Sequence, residues 1–378
     1  MRPVQCDHFD RGECGSCTLM GVPYTRQVAD QERTVRELLA EHVAPDAWLP
    51  TATGPESGFR NKAKLAVAGT KGAPTFGILD PRTGIGTDLR DCGLYEPSLA
   101  AALPRLCAAV ADVGLVPYDV PRRSGELKHL VVTASPDGEL MARVVLRSPG
   151  QLPRLRRHLD ELLAAVPGLR VVSVNLQPEH KAVLEGDEEI VLTEADALPM
   201  RLDGLTLQLR PRSFFQTSTG MARQLYAQAS DWVSDTDPGT VLDLYCGVGG
   251  FALTAAAAPG ASRRTVTGVE VSTDAVAAAR AAARAADLPA TFRVGDATAE
   301  VAVRHDLVVV NPPRRGIGPE LAAALEGSTV PHVVYSSCHP TTLLRDLQAM
   351  PSLRVRSARL FDMFPQTHHH EVAVLLSR

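Results

Sequence analysis

No stretch of this 378-residue chain stays apolar long enough to span a bilayer. Its opening residues, Met1-Arg-Pro-Val-Gln-Cys-Asp-His, lack the apolar core of a secretory signal. From these absences we expect a cytoplasmic protein without a membrane span. There is no charge excess either: 39 Lys and Arg against 43 Asp and Glu give a net charge of −4. The chain as a whole is therefore no polycation, and nucleic-acid binding would need a local basic face. Two runs offer one: Arg60, Lys62 and Lys64 in GFRNKAK, and Arg122, Arg123 and Lys128 in PRRSGELK. Each alone reads equally as solvated surface. The cysteines do not form an even set. They are seven (Cys6, Cys14, Cys17, Cys92, Cys107, Cys246 and Cys338), which argues against a disulfide framework in a reducing compartment. Internal repeats and long low-complexity tracts are also missing. What remains is a globular composition, 45% hydrophobic, at a length that suits two or three domains.

Residues 28–42 have the pattern of a charged amphipathic helix. From Gly58 to about Leu209 short β-rich runs follow one another: AKLAVAG, TFGILD, HLVVTAS, ELMARVVLR, VVSVNLQP, AVLEG, EIVLT and LTLQLR. Helical patterns interrupt them at 99–113 and 152–166. This predicts an α+β domain with an antiparallel sheet. R210-P-R-S-F-F-Q-T marks a junction, and a helix over 221–233 leads into the last part. There strands and helices alternate: TVLDLY, TVTGVEV, ATFRVGD, DLVVVN and HVVYSS, with an Ala-rich helix over 274–286. Such alternation predicts right-handed βαβ units and a parallel sheet. The last runs, LRVRSARLFDM and EVAVLLSR, should form an antiparallel hairpin. We expect three parts: a cysteine-rich arm with a helix (1–57), the β-rich domain (58–209), and an α/β domain (210–378).

D243-L-Y-C-G-V-G-G-F-A252 places a G-x-G-x-x-A turn at Gly247, Gly249 and Ala252, directly after a strand. Glycines let the backbone turn sharply and approach a ligand, and the following helix offers free N–H groups. Glu270, about 20 residues later at the end of TVTGVE, suits ribose hydroxyls. Asp296 ends the next strand, where it is placed to face an adenine. A dinucleotide fold is the fair alternative. The motif's depth in the chain, Asp243 before the glycines, and N311-P-P-R after the fourth strand favour S-adenosylmethionine. A parallel sheet with a reversed last strand is the plan of class I methyltransferases that use this cofactor.

Two late residues complete a chemistry. Cys338 follows an apolar strand, so it lies at the carboxyl edge of the sheet, with Asn311 ending a neighbouring strand at the same edge. The last strand runs the other way, so its first residue, Glu371, reaches that edge too. Carbon 5 of uracil is a poor nucleophile. A thiolate added at carbon 6 makes it an enolate that can accept a methyl group, and a base must then remove the carbon-5 proton. Arg314 or Arg315 nearby would lower the thiol pKa. The competing readings are a buried structural thiol for Cys338, as for Cys107 and Cys246, and a solvated hairpin residue for Glu371. The histidines 368–370 read as a polar turn.

These motifs resemble the RNA uracil-5-methyltransferase family. N311-P-P-R-R-G316, V333-V-Y-S-S-C338 and F361-D-M-F-P-Q-T-H-H-H-E371 look like its signature segments in order, and S213-F-F-Q-T217 looks like another. The resemblance implies Cys338 as nucleophile, Glu371 as proton acceptor, and Gln216, Tyr245, Glu270 and Asn311 as cofactor contacts beside Gly247 and Asp296. His339 stands where Asn is usual, and His370 where an apolar residue is usual. Cys6, Cys14, Cys17 and Cys92 look like the [4Fe–4S] ligands of the family's 23S rRNA enzymes. By their chemistry alone, four thiolates fit zinc equally well. A structural role is expected, tying the arm to the β-rich domain. Cys6 lies too near the start to follow the extra N-terminal β-barrel of one 23S rRNA branch, so the shorter branch is implied. The expected substrate is then one uridine of 23S rRNA, flipped into the crevice, with the β-rich domain holding RNA, Phe214 or Phe215 available for stacking, and no obligatory protein partner. The rivals are an enzyme for another rRNA or tRNA uridine, an N/D-P-P methyltransferase acting on an exocyclic amine, and a non-catalytic RNA-binding protein.

Overall fold

The computed structural model describes residues 4–80, 83–181, 183–260, 264–299 and 304–378. The first long helix, Tyr24–Leu38, begins and ends four residues before the amphipathic pattern suggested. Gln27, Gln31 and Val35 recur every four residues on it, and all three are buried.

The β-rich region is a seven-stranded sheet. Its strands are β1 (Lys62–Thr70), β2 (Ala73–Leu79), β3 (Gly86–Asp88), β4 (Leu127–Ala134), β5 (Leu140–Leu146), β6 (Leu169–Leu176) and β7 (Glu188–Val191). The spatial order is β3-β2-β1-β4-β5-β6-β7. The sheet is not wholly antiparallel as expected: β5 and β6 are parallel. The chain between them is a crossover carrying helices Leu152–Arg157 and Leu159–Ala165, and a crossover, unlike a tight turn, brings the chain back in the same direction. One face packs Leu65, Leu130, Val132, Val144 and Val174 against these helices and Pro97–Asp112. Residues 183–186 of the AVLEG run form no strand, and Ala182 lies outside the described residues. A two-stranded hairpin that the sequence reading did not anticipate as a pair, β8 (Leu198–Leu202) and β9 (Leu205–Leu209), closes this half. Its turn uses Asp203 and Gly204, both at positive φ.

The second seven-stranded sheet contains β10 (Thr240–Leu244), β11 (Thr265–Glu270), β12 (Ala290–Val294), β13 (Leu307–Val310), β14 (His332–Ser337), β15 (Arg354–Phe361) and β16 (Glu371–Ser377). The order is β12-β11-β10-β13-β14-β16-β15. The first five are parallel, and β16 inserts antiparallel between β14 and β15. Both faces are apolar, because alternate residues enter opposite layers. Val241, Val309 and Val334 pack with helices Thr219–Thr236, Gly250–Ala257 and Thr273–Ala285. Leu242, Val310 and Tyr335 pack with Gly318–Gly327, Pro340–Gln348 and Val35 of helix Tyr24–Leu38. Among the described residues, no helix is long and apolar enough to cross a membrane.

Candidate active site

Strand direction brings the two late residues together. Ser337 at the end of β14 pairs with Val372 of β16, so Cys338, the next residue, and Glu371, the first of β16, lie at the same sheet edge, near enough for the Glu371 charge to act on the thiol. Glu371 is only 3% exposed. Ser336 Oγ donates to its Oε1 at 2.5 Å. Burial pushes the Glu371 carboxyl up to about 7, against the hydrogen bond from Ser336, which favours the charged form. Cys338 is half-buried. Burial first, and the Glu371 charge second, raise its pKa, while Arg314 opposes them by charge and by a hydrogen bond. An arginine does act on the thiol as expected, but burial and the Glu371 charge outweigh it. A thiol facing a carboxyl that titrates near neutrality is equipped for addition followed by proton removal.

The glycine turn lies on the same edge. Gly247 and Gly249 take positive φ of 53° and 90°, and so does Tyr245 at 61°. Gly247 N–H donates to Glu270 Oε2 at 3.2 Å, and Ser272 N–H donates to the other carboxylate oxygen at 3.0 Å. Asp243 Oδ2 accepts the Ala252 N–H at 2.9 Å and so clamps turn to helix, while its Oδ1 is buried without a partner. Burial raises this carboxyl to about 8. Asp296 is exposed and accepts both the N–H and the hydroxyl of Thr298 on Oδ1, which holds its pKa below the ordinary value. Tyr245 lies in the electrostatic reach of Asp296 and Arg315. Asn311 is one residue past β13, between β10 and β14. Gln216 comes from elsewhere, the segment between β9 and helix Thr219–Thr236. It is buried, and its carbonyl accepts from Asn61 Nδ2 at 3.0 Å. Phe215 beside it is core, whereas Phe214 is 70% exposed.

Two contributors escaped the sequence reading. Ser336 sits two residues before Cys338 on a strand, and period-two spacing was the available signal. Asn61 lies inside GFRNKAK, where the flanking cations are the stronger signal and mask the amide. His370 has both ring nitrogens buried without partners, and burial pushes it down to about 4. His369 Nδ1 lies 3.2 Å from an Arg314 nitrogen.

Cys6, Cys14, Cys17 and Cys92 form a separate place. They line one cavity of about 330 Å³ together with Arg60, Lys62 and Lys64. The Cys17 thiol is pushed up to about 11, by burial first and then by the other three. Among the described residues, no three metal-ligating side chains converge on a point suited to a single ion. The GFRNKAK cations border the thiols, Arg60 and Lys62 half-buried and Lys64 exposed, and burial with Lys64 brings Lys62 down to about 8. In the other basic run Lys128 is no surface cation. It is buried, donates to Glu179 O at 2.6 Å and to Gln177, and lies 4.6 Å over the Tyr118 ring. Arg122 is exposed and paired with Asp119 at 3.0 Å. Cys107 and Cys246 are buried.

Comparison with known proteins agrees with this geometry. Residues 292–378 match the model of tRNA (Uracil-5-)-methyltransferase, and residues 222–324 match that of the methyltransferase small domain. The 23S rRNA (uracil(747)-C(5))-methyltransferase RlmC of Halothiobacillus neapolitanus is 44% identical, over 99% of this chain and 100% of that protein. The enzyme of the same name from Edwardsiella ictaluri is 43% identical, over 99% of each chain. The crystal structure of Pyrococcus abyssi tRNA (uracil-54, C5)-methyltransferase in complex with S-adenosyl-L-homocysteine superposes with a TM-score of 0.80 at 25% identity, covering 96% of this chain and 84% of that one. The fold is that of a class I S-adenosylmethionine methyltransferase, and the chain belongs to the RNA uracil-5-methyltransferase family.

Proposed function

We propose that the enzyme forms 5-methyluridine at one uridine of 23S rRNA, with Cys338 as nucleophile and Glu371 as proton acceptor. The relatives at 42–44% identity are named for that product on that RNA, and the observation that carries the chemistry is the thiol set against a carboxyl at one strand edge. S-adenosylmethionine supplies an electrophilic methyl group. The residues that would hold it are Gln216, Tyr245, Gly247, Glu270, Asp296 and Asn311, with Glu270 suited to the ribose hydroxyls and Asp296 to the adenine. Cys338 loses its proton to solvent, aided by Arg314, and Sγ bonds to carbon 6 of a flipped-out uracil. The electron pair reaching carbon 5 takes the methyl, and S-adenosylhomocysteine leaves. Glu371 then accepts the carbon-5 proton, the carbon 5–carbon 6 double bond re-forms, and the sulfur departs.

We assign the catalytic work to residues 210–378, RNA holding to 58–209, and a cysteine-bound centre to the arm, residues 1–57, completed by Cys92. Four thiols sharing a cavity with three cations suit a bulky anionic group, and a [4Fe–4S] cluster is such a group. A single zinc ion needs ligands that converge more closely. The centre ties the arm down, and the working compartment is the cytoplasm. Arg122 and Arg123 remain for phosphates. Incubation with 5-fluorouridine-substituted 23S rRNA and S-adenosylmethionine tests the proposal. Fluorine cannot leave as a proton does, so a denaturation-resistant adduct should map to Cys338 and one nucleotide. An adduct on another residue, or none while ordinary RNA is methylated at carbon 5, sinks it.

A further inference from the structure

The turn that delivers Glu371 is not held by its own hairpin alone. Between β15 and β16 the chain makes a nine-residue excursion, 362–370, whose centre is gripped by the N-terminal arm. Gln27 and Gln366 are both 2% exposed and bond reciprocally: Gln27 Nε2 donates to Gln366 Oε1 at 2.8 Å, and Gln366 N–H donates to Gln27 Oε1 at 3.0 Å. Leu19 N–H reaches the Gln366 carbonyl at 3.0 Å, and Gln31 Nε2 reaches the Thr367 carbonyl at 2.9 Å. Gln27 Nε2 also lies 2.8 Å from the Val22 carbonyl, which joins helix and arm. Gln366 has φ of 70°, a left-handed conformation uncommon for a non-glycine residue. Phe364 of the same turn packs on the patch made by Cys17, Phe59 and Leu94, with Cys92 alongside. The cysteine arm and the turn before Glu371 are thus one packed unit, although some 340 residues separate Gln27 from Gln366 in sequence (|i−j| = 339).

We propose that Gln27 is a positioning residue for catalysis, and that the arm fixes the 362–370 turn so that the Glu371 carboxyl stands where the carbon-5 proton is released. This rests on Glu371 being the proton acceptor. Bond formation from Cys338 Sγ to carbon 6, and methyl transfer to carbon 5, do not need that carboxyl. Only removal of the carbon-5 proton and release of the sulfur do. A loosened turn therefore slows the last step, and the methylated base stays bonded to sulfur.

The test uses the full chain, an unmodified 23S rRNA transcript and S-adenosylmethionine, and reads adducts by denaturing electrophoresis. Gln27→Ala should lower kcat about tenfold. It should leave S-adenosylhomocysteine affinity within about twofold by calorimetry. A denaturation-resistant adduct with ordinary uridine should accumulate, as it should more strongly in Glu371→Gln. Should Gln27→Ala fail to fold, Gln31→Ala, which removes one hydrogen bond to the turn, is read the same way with a smaller effect. Full activity, or lost activity without adduct, overturns the latch provided Glu371→Gln does accumulate adduct. Absence of adduct in Glu371→Gln overturns the assignment of the proton acceptor, and the latch with it.

Discussion

The molecule has two thiol sites built on opposite electrostatic plans. At the sheet edge a single half-buried Cys338 has one carboxyl and one guanidinium for neighbours. In the cavity of the arm, Cys6, Cys14, Cys17 and Cys92 have chiefly one another, with Arg60, Lys62 and Lys64 around them. A lone thiol beside an arginine can ionise in turn with its substrate. Thiols crowded together resist one another's ionisation, and Cys17 stands at about 11 for that reason after burial. Such a group becomes anionic readily only with a cationic core among the sulfurs. On the proposed function the first arrangement is a reagent and the second a receptacle.

The comparison breaks most sharply at Cys338. Cys338→Ala should lower methyl transfer at least about a thousandfold while leaving cofactor binding and thermal stability near wild type, measured by labelled-methyl incorporation and calorimetry. Full activity in that variant would return the exocyclic-amine chemistry to contention. Cys92→Ser should do the reverse. It should remove any iron and acid-labile sulfide measured in the purified protein and lower Tm by several degrees. Residual turnover per folded molecule should exceed that of Cys338→Ala. A Cys92→Ser protein as stable and metal-loaded as wild type would leave the cavity without its assigned purpose.

Glu371 sharpens the contrast, because there stability and activity favour different protonation states. Its folded pKa, about 7, lies above the unfolded value near 4.5. The stability this group contributes is present below the unfolded value and is lost as pH rises through 7. Proton acceptance needs the carboxylate, so kcat should rise across the same interval. Glu371→Gln should abolish the rise and stall the reaction at the adduct. At pH 8 it should also stabilise the folded protein by on the order of 2–3 kcal/mol, since a buried charge is replaced by an amide. Denaturant melts at pH 5 and pH 8 check this. Equal stabilities at both pH values would mean that Glu371 is not held in the low-dielectric setting its burial implies.

Much of the edge was legible in the sequence because direction alone fixes it. Apolar runs of strand length alternating with helices place Asn311 and Cys338 at carboxyl ends, and a reversed last strand places Glu371 beside them. What was not legible depends on partners distant in sequence. Period-two patterning is the same for parallel and antiparallel strands, so it does not show that β5 and β6 run parallel. Lys128 looks like a surface cation in PRRSGELK, and only folding sets it beneath Gln177 and over Tyr118. The left-handed Gln366 carries no sequence signal, and the side chain that bonds both its backbone and its amide, Gln27, lies on another element. The four cysteines cluster in sequence except for Cys92, which the fold brings into their cavity from the segment after β3.

The mildest perturbation distinguishes the sites most finely. Among the described residues, Ser336 Oγ is the hydroxyl bonded to Glu371, and that bond favours the carboxylate. Ser336→Ala removes it without changing the charge of the site or the thiol. The folded pKa of Glu371 should move further up, so the rising limb of the kcat–pH profile should shift toward alkaline pH by about half to one unit. At pH 9, where the carboxylate forms regardless, the variant should turn over within about twofold of wild type. Iron content and the melting behaviour of the arm should be untouched, because Ser336 belongs to the sheet edge and not to the cysteine cavity. If the limb instead stays in place while kcat drops uniformly with pH, Ser336 orients the carboxyl without tuning its proton affinity, and the rising limb belongs to Cys338.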